Sequence, residues 1–321
     1  MEQTMKAFAL RSFEEPAGVH DVSVPDVGPG DVRVRVRAAS INGFDVFVAT
    51  GMAKHMMEHR FPVVVGKDFA GVVDAVGDGV TRFGPGDEVV GIVPTEQFLW
   101  RGSFGEYVVV PADGFVQAKP ANVDFAAAAG LGLAGLAALV SVDAIDPSDG
   151  DVVLVVGATG GVGTYAVQLA SGRGATVIAT GLSQDEAWLR ELGASEVVDY
   201  TGEVAAWVRE HHPNGIDALI DLVNRDGEAL AKVAELVKDG GRLATTMGSA
   251  DVEGLASRGI TASNVFAQSD PAHFARLLQV AGEGAITVPV TRTFSLHDLH
   301  EGLELLGTGQ ARGKYVVTME G

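Results

Sequence analysis

Between Val152 and Gly163 the chain reads Val152-Val153-Leu154-Val155-Val156-Gly157-Ala158-Thr159-Gly160-Gly161-Val162-Gly163. The apolar run has the pattern of a strand buried on both faces. Ala158, Gly160 and Gly163 then stand at the three small-residue positions of a dinucleotide-binding turn. That chemistry needs backbone N–H groups to approach a diphosphate with no Cβ in the way. A helix opening near Gly161 would turn its positive end toward the same phosphates.

The second strand of such a unit, Thr176–Thr180, runs into Gly181, Leu182 and Ser183. An NAD site carries a carboxylate at this strand end to grip the ribose 2′-OH, but here no acid occurs before Asp185. Without it nothing repels a 2′-phosphate, to which Ser183 could donate a hydrogen bond. Tyr200, after the third strand, could add another. The residues therefore favour NADPH over NADH. Ser183 also reads as the N-cap of a helix over Gln184–Leu192.

Other chemistry is excluded by residue type. There are no cysteines, so disulfides, thiol nucleophiles, iron–sulfur clusters and thiolate zinc sites are ruled out. His55-Met56-Met57-Glu58-His59 fits the H-x-x-E-H zinc pattern. The segment is short, shows no third ligand and sits between strand-like stretches, so no metal is expected. Met52, Met56 and Met57 read instead as an adaptable apolar wall or as core filler. Phe98 and Trp100 are candidates to roof a pocket or to pack. His211-His212 suits a helix end. With 23 basic and 42 acidic residues the net charge is 23 − 42 = −19, a field that disfavours nucleic acid and anionic lipid.

The elements that must position these groups form two patterns. Up to about residue 123 the chain is β-rich. Val32, Val34 and Val36 alternate with Arg33, Arg35 and Arg37, the period of a half-buried strand. Further strands follow at Phe69–Val76, Glu88–Val93 and Ser103–Val110, punctuated by turns such as Gly84-Pro85-Gly86-Asp87. From Asp124 to residue 264 strands alternate with helices, which predicts a doubly wound parallel sheet. The last part, roughly Pro271–Gly321, is too short for a third domain and is expected to complete one of the others. The uncharged stretch Phe125–Val142 is long enough to consider as a membrane span. Its Ala and Gly content, and the flanking Asp124 and Asp143, read better as two short buried helices broken near Gly130–Gly135. Apolar residues make up 47% of the chain, enough for a large core. The N-terminal residues lack a signal-peptide apolar region. A soluble, cytoplasmic protein is expected.

In combination these motifs resemble the zinc-independent quinone oxidoreductase branch of the medium-chain dehydrogenase/reductase superfamily. The resemblance rests on Ala158–Gly163 followed by Ala166-Val167-Gln168-Leu169-Ala170. Ser40-Ile41-Asn42-Gly43-Phe44-Asp45, Gly66-Lys67-Asp68-Phe69-Ala70-Gly71, Gly84–Val89, Leu192-Gly193-Ala194, Gly240-Gly241-Arg242 and Gly313-Lys314 extend it over essentially the whole chain. It implies a GroES-like catalytic domain (1–123, completed by 265–321), a Rossmann domain (124–264), an active site in the cleft between them, and a homodimer. It also implies that Thr159, Gly160, Gly161, Val162, Thr180, Gly181, Tyr200, Val223, Asn224, Met247, Gly248, Ser249, Asn264, Val265 and Phe266 line the cofactor.

By the same resemblance Asn42, Lys67 and Leu133 stand where zinc-dependent relatives place their three catalytic ligands. An amide, an ammonium and an alkyl group do not make a zinc site. Without that Lewis acid, alcohol oxidation is disfavoured, whereas hydride can still add to a quinone or to an enone or enal. Lys67 would stabilise developing oxygen charge, with Asn42 as a second donor. The alternative for Lys67 is a side chain that snorkels to solvent or pairs with an acid. Asp45 and Asp68 read as structural hydrogen-bonders. Relatives usually read Gly-Leu-Thr-Ala where this chain has Gly135-Leu136-Ala137-Ala138, so the hydroxyl that meets the nicotinamide side is absent. A lysine expected near Gln184 is absent too. An NADPH-dependent reductase of small quinones or α,β-unsaturated carbonyls is the leading expectation. An enoyl-thioester reductase, or a cofactor-binding structural or regulatory protein with little turnover, are the alternatives.

Overall fold

The protein was analysed as a computed structural model that describes residues 3–95 and 98–319. The chain forms two compact units. One comprises Met1–Leu133, Asp270–Glu283 and Val288–Gly321; the other comprises Ala134–Ser269 and Gly284–Thr287.

The first unit is built from β1 (Thr4–Leu10), β2 (Gly18–Ser23), β3 (Asp31–Ser40), β4 (Glu58–His59), β5 (Val63–Val64), β6 (Asp68–Val76), β7 (Glu88–Ile92), β8 (Phe98–Leu99), β9 (Tyr107–Pro111) and β10 (Val116–Ala118), with helix α1 (Gly43–Ala49) after β3. The expected alternation in β3 holds: Val32, Val34 and Val36 are buried in the core. This strand is the hub of the larger sheet, pairing antiparallel with β6 and β9. Ser40 at its end lies opposite Asp68 at the start of β6.

Helix α2 (Phe125–Ile145) contains the boundary between the units and breaks at Gly132, inside the expected stretch. A Cβ on Gly132 would come within 2.8 Å of Asp68 Cβ, and the next N–H, of Leu133, donates to Asp68 Oδ1 at 2.7 Å. This packing ties residues 124–133 to the first unit, whereas the sequence put the boundary at 123. Most of α2 on both sides of the break is buried in protein, including Leu131, Leu136, Ala138 and Val142.

The second unit carries β11 (Val152–Val156), α3 (Gly161–Ser171), β12 (Thr176–Gly181), α4 (Glu186–Glu191), β13 (Glu196–Asp199), α5 (Val204–His211), β14 (Ile216–Asp221), α6 (Gly227–Ala234), β15 (Val237–Thr245), α7 (Val252–Ala256) and β16 (Thr261–Asn264). All six strands are parallel, in the order β13-β12-β11-β14-β15-β16. The order reverses direction between β11 and β14, the place where doubly wound sheets open a ligand crevice at their carboxyl ends. Gln168 of α3 bonds both N–H and C=O of Thr287 (2.7 and 3.1 Å), which joins Gly284–Thr287 to this unit. The chain then returns to the first unit. There α8 (Pro271–Gly282), β17 (Val290–Ser295), α9 (Leu299–Gly307) and β18 (Lys314–Thr318) complete it, with β18 pairing antiparallel with β3.

Candidate active site

The turn after β11 is held in a shape that only small residues permit. Gly157 has φ of 84°, a conformation costly for residues with a Cβ. A Cβ on Gly163 would fall on the carbonyl oxygen of Gly157 and lie 2.6 Å from Ala158 Cα. Gly163 and buried Ala158 thus lock the first turn of α3 against the strand. Gly160, at the helix N-cap, has only ordinary contact at its Cβ position, with Gly157 O at 3.5 Å. The amides of Gly161 and Val162 lie in the first helical turn, where no residue four positions earlier can accept from them. A cradle open at Gly160 and lined by such amides fits a diphosphate.

The remaining expected cofactor residues sort by what their side chains already do. Thr180 does not line the crevice. It is 3% exposed, and its hydroxyl accepts from Gly157 N (2.9 Å) and donates to Val155 O (3.3 Å), so it braces the turn from behind. Gly181 is buried too, and a Cβ there would meet Leu189 Cδ1 at 2.5 Å. Ser183 is exposed and does not cap the following helix. Asp185 closes that turn instead, its carboxylate accepting from Leu182 N at 3.1 Å. The first acid after β12 is thereby turned inward. Tyr200, Val223 and Phe266 are exposed at the carboxyl ends of their strands or just beyond, Phe266 at 77%. Asn264 uses its side-chain amide to bond both N–H and C=O of Ala250 (3.0 and 3.1 Å). Ser249 donates to Asn224 O at 2.6 Å. Val265 donates from its backbone to Thr245 O, Met247 donates from its backbone to the Thr245 hydroxyl, and Gly248 takes φ of 73°.

One residue here was missed. Asp221, fully buried at the end of β14, accepts from Val223 N (3.0 Å), Asn224 N (2.8 Å) and Asn224 Nδ2 (2.6 Å). It shapes the loop that carries Val223 and Asn224. An acid ending the buried run Ala218–Ile220 was the available signal.

In the first unit, β3, β6 and β18 bring together a buried polar cluster. Asp68 accepts from Ser40 Oγ (2.6 Å), Asn42 Nδ2 (2.8 Å) and Leu133 N (2.7 Å). Lys314 donates to Asn42 Oδ1 (2.8 Å) and Ile41 O (3.2 Å). Burial pushes the Asp68 carboxyl up, against the pull of Lys314 and its three hydrogen-bond donors. Burial pushes the Lys314 ammonium down, against Asp68 and Asp45. Asp45 accepts from Asn42 N at 2.8 Å. Burial, and then the like charge of Asp68, push its carboxyl up to about 7.

Two expectations for this cluster need correction. Asn42 is not available as a donor to a substrate oxygen: its Nδ2 is held by Asp68 and by Ser40 O (3.3 Å), and its Oδ1 by Lys314. Lys67 does not snorkel to solvent. It is 4% exposed, and its Nζ donates to Val93 O (3.0 Å), Pro94 O (3.1 Å) and Thr95 Oγ1 (3.0 Å), 5.1 Å from the centre of the Phe44 ring.

The histidine motif is not helical. A single 3-10 turn, Met52–His55, precedes β4, so His55 and His59 do not share a helix face. His59 packs on Phe13 at 4.8 Å. Among the described residues no cluster of three or more His, Asp or Glu side chains is arranged to hold a metal. Met57 packs on the core, while Met52 and Met56 are exposed. Trp100 is exposed, whereas the Phe98 side chain and residues 96–97 lie outside the described residues. His211 stacks on Trp207 at 4.0 Å, and His212 reaches Glu196 at 3.2 Å.

A doubly wound sheet with an open glycine turn, together with a β-rich unit completed by the C-terminal segment, defines a nicotinamide-dependent oxidoreductase of two-domain type. Residues 28–120 match the alcohol dehydrogenase GroES-like domain family and residues 192–317 the zinc-binding dehydrogenase family. The chain belongs to the medium-chain dehydrogenase/reductase superfamily, in its quinone oxidoreductase branch. It is 30% identical over 310 residues to the chloroplastic quinone-oxidoreductase QR1 of Triphysaria versicolor, covering 92% of each chain. It is 32% identical to the 2-methylene-furan-3-one reductase of Solanum lycopersicum, covering 92% of this chain and 74% of the relative. The quinone oxidoreductase structure from Coxiella burnetii superposes with a TM-score of 0.88 at 28% identity, over 99% of this chain and 100% of that one.

Proposed function

We propose that the protein reduces a small quinone or α,β-unsaturated carbonyl with NADPH, without metal. The reading is carried by the side chains of Asn42, Lys67 and Leu133, which the family resemblance sets at the positions where zinc-dependent relatives hold their metal. The amide is consumed by Asp68 and Lys314, and neither an ammonium nor an alkyl side chain ligates zinc. The relatives named for a quinone and for a conjugated ketone support the acceptor class.

The bound nicotinamide would supply the hydride. The amides of Gly161 and Val162 would hold its diphosphate, with Ser183 and Gln184 beside the 2′-phosphate and Tyr200, Val223, Met247, Val265 and Phe266 along the crevice. The inward turn of Asp185 supports NADPH, since no carboxylate faces outward between β12 and α4 to repel the 2′-phosphate. Exchange of the Thr95 hydroxyl for a substrate oxygen would let Lys67 meet developing negative charge while Val93 and Pro94 keep it in place.

The test is a panel of quinones, enones and enals assayed with NADPH and NADH in parallel, by loss of reduced-nicotinamide absorbance. NADPH is expected to give the higher kcat/KM by about tenfold, the worth of one charge-assisted hydrogen bond. A clear preference for NADH, or turnover confined to alcohols, would overturn the reading.

A further inference from the structure

Asp45 is held by one oxygen only. Its Oδ2 accepts from Asn42 N at the start of α1, while Oδ1 is buried with no hydrogen-bond partner. The side chain is 1% exposed. Leaving an ionised carboxylate in that state is costly, because a buried charge needs its lone pairs satisfied. The neutral acid is the cheaper form, consistent with the upward push on this group.

Asp45 also lines a small cavity of about 20 Å³, together with Phe44, Val65, Lys67, Pro94 and Trp100. That volume accommodates a single water. Asp45, Lys67 and Arg101 are the charged side chains in its lining. Three charged groups act on Asp45: Asp68 from β6, Lys314 from β18, and Lys67 just before β6. With Asp45 neutral, two cations face one anion, a positive surplus suited to a developing enolate or quinol oxyanion. When Asp45 gives up its proton the surplus vanishes, as it should once that oxyanion has been neutralised.

We infer that Asp45 is the proton reservoir of the reduction, passing its proton to the acceptor through one water held beside Lys67. This rests on the reductase reading above. Hydride addition would form a C–H bond at the acceptor's β-carbon; the C=C pair shifts to join the α-carbon to the carbonyl carbon, and the C=O pair moves onto oxygen to give an enolate. The Oδ1–H bond then breaks. Its proton goes to the water, which gives one of its own to the α-carbon. Asp45 is left as a carboxylate and regains a proton from solvent. One hydride and one proton are consumed per turnover. For a quinone, the same proton goes to the quinol oxygen.

Asp45→Asn keeps an acceptor for Asn42 N–H and removes the proton. The first measurement needs no substrate. Infrared difference spectra of the parent, titrated from about pH 5 to about pH 9, should show a protonated-carboxyl band that bleaches with a midpoint near 7 and is missing in the variant. Identical spectra for the two proteins would overturn the inference. The second measurement is the pH profile. Parent kcat should fall as pH rises through the same midpoint, because the acid form donates. Variant kcat should be flat there and lower by about 100-fold, the lower end for lost general acid catalysis, with the dissociation constant for NADPH unchanged. A variant as fast as the parent at every pH would also overturn it. If no acceptor is turned over by the parent, the reductase reading fails, and the infrared result still decides whether Asp45 holds the proton.

Discussion

Asp68→Ala is expected to destabilise the protein by about 3–5 kcal/mol, the usual cost of removing one partner from a buried charged network. The carboxylate accepts from Ser40, Asn42 and Leu133, and all three donors would lose it in an interior where water does not replace it. Lys314 would remain, fully buried and joined to the site through Asn42, with its main opposing charge gone. The break at Gly132 would lose the bond that pins it. Urea unfolding should show the loss as a lower midpoint at similar slope. Adding Lys314→Met should recover only the part due to the unopposed buried cation, because the three donors stay without their acceptor and Asn42 Oδ1 loses Lys314. A single variant within about 0.5 kcal/mol of the parent, as for an ordinary surface change, would mean that the cluster does not organise the first unit.

Gly163→Val should be the most damaging change in the second unit. Even a bare Cβ would fall on the Gly157 carbonyl and within 2.6 Å of Ala158 Cα, both of them backbone, so no side chain can move aside. Overpacking at such a point costs about 1–3 kcal/mol. The larger effect should be on the dinucleotide, since any shift of α3 away from β11 displaces the amides of Gly161 and Val162. NADPH affinity, measured by calorimetry, should fall at least about tenfold, equivalent to about 1.4 kcal/mol. Unchanged affinity in a folded variant would place the diphosphate away from this turn.

Much of this was legible because it is local. The run Val152–Val156, the glycine turn and the β-α alternation after it are short-range patterns, and each became the expected element. The alternation of Val32, Val34 and Val36 likewise gave the core face of β3. What escaped depends on partners far away in sequence. Asn42 was expected to donate to substrate from its place in the family resemblance; the groups that hold its side chain include Asp68, 26 residues away, and Lys314, 272 residues away. Thr180 looked like a crevice residue because it ends a strand, yet its hydroxyl bonds the backbone of the neighbouring strand and turn. Ser183 has the right type for a helix cap, but it is the first residue of a 3-10 turn, Ser183–Asp185, that precedes the helix. The boundary after Leu133 was invisible for the same reason. It follows from a backbone N–H meeting Asp68, 65 positions earlier, and not from any change in composition.

The claim that matters most is hydride transfer without a metal, and elemental analysis combined with turnover tests it directly. Protein purified through a chelator should contain zinc far below one atom per chain and should reduce its best quinone or enone with NADPH at the same kcat as untreated protein, with no gain on adding zinc. One tightly held zinc per chain whose removal abolishes turnover, and whose return restores it, would contradict the account.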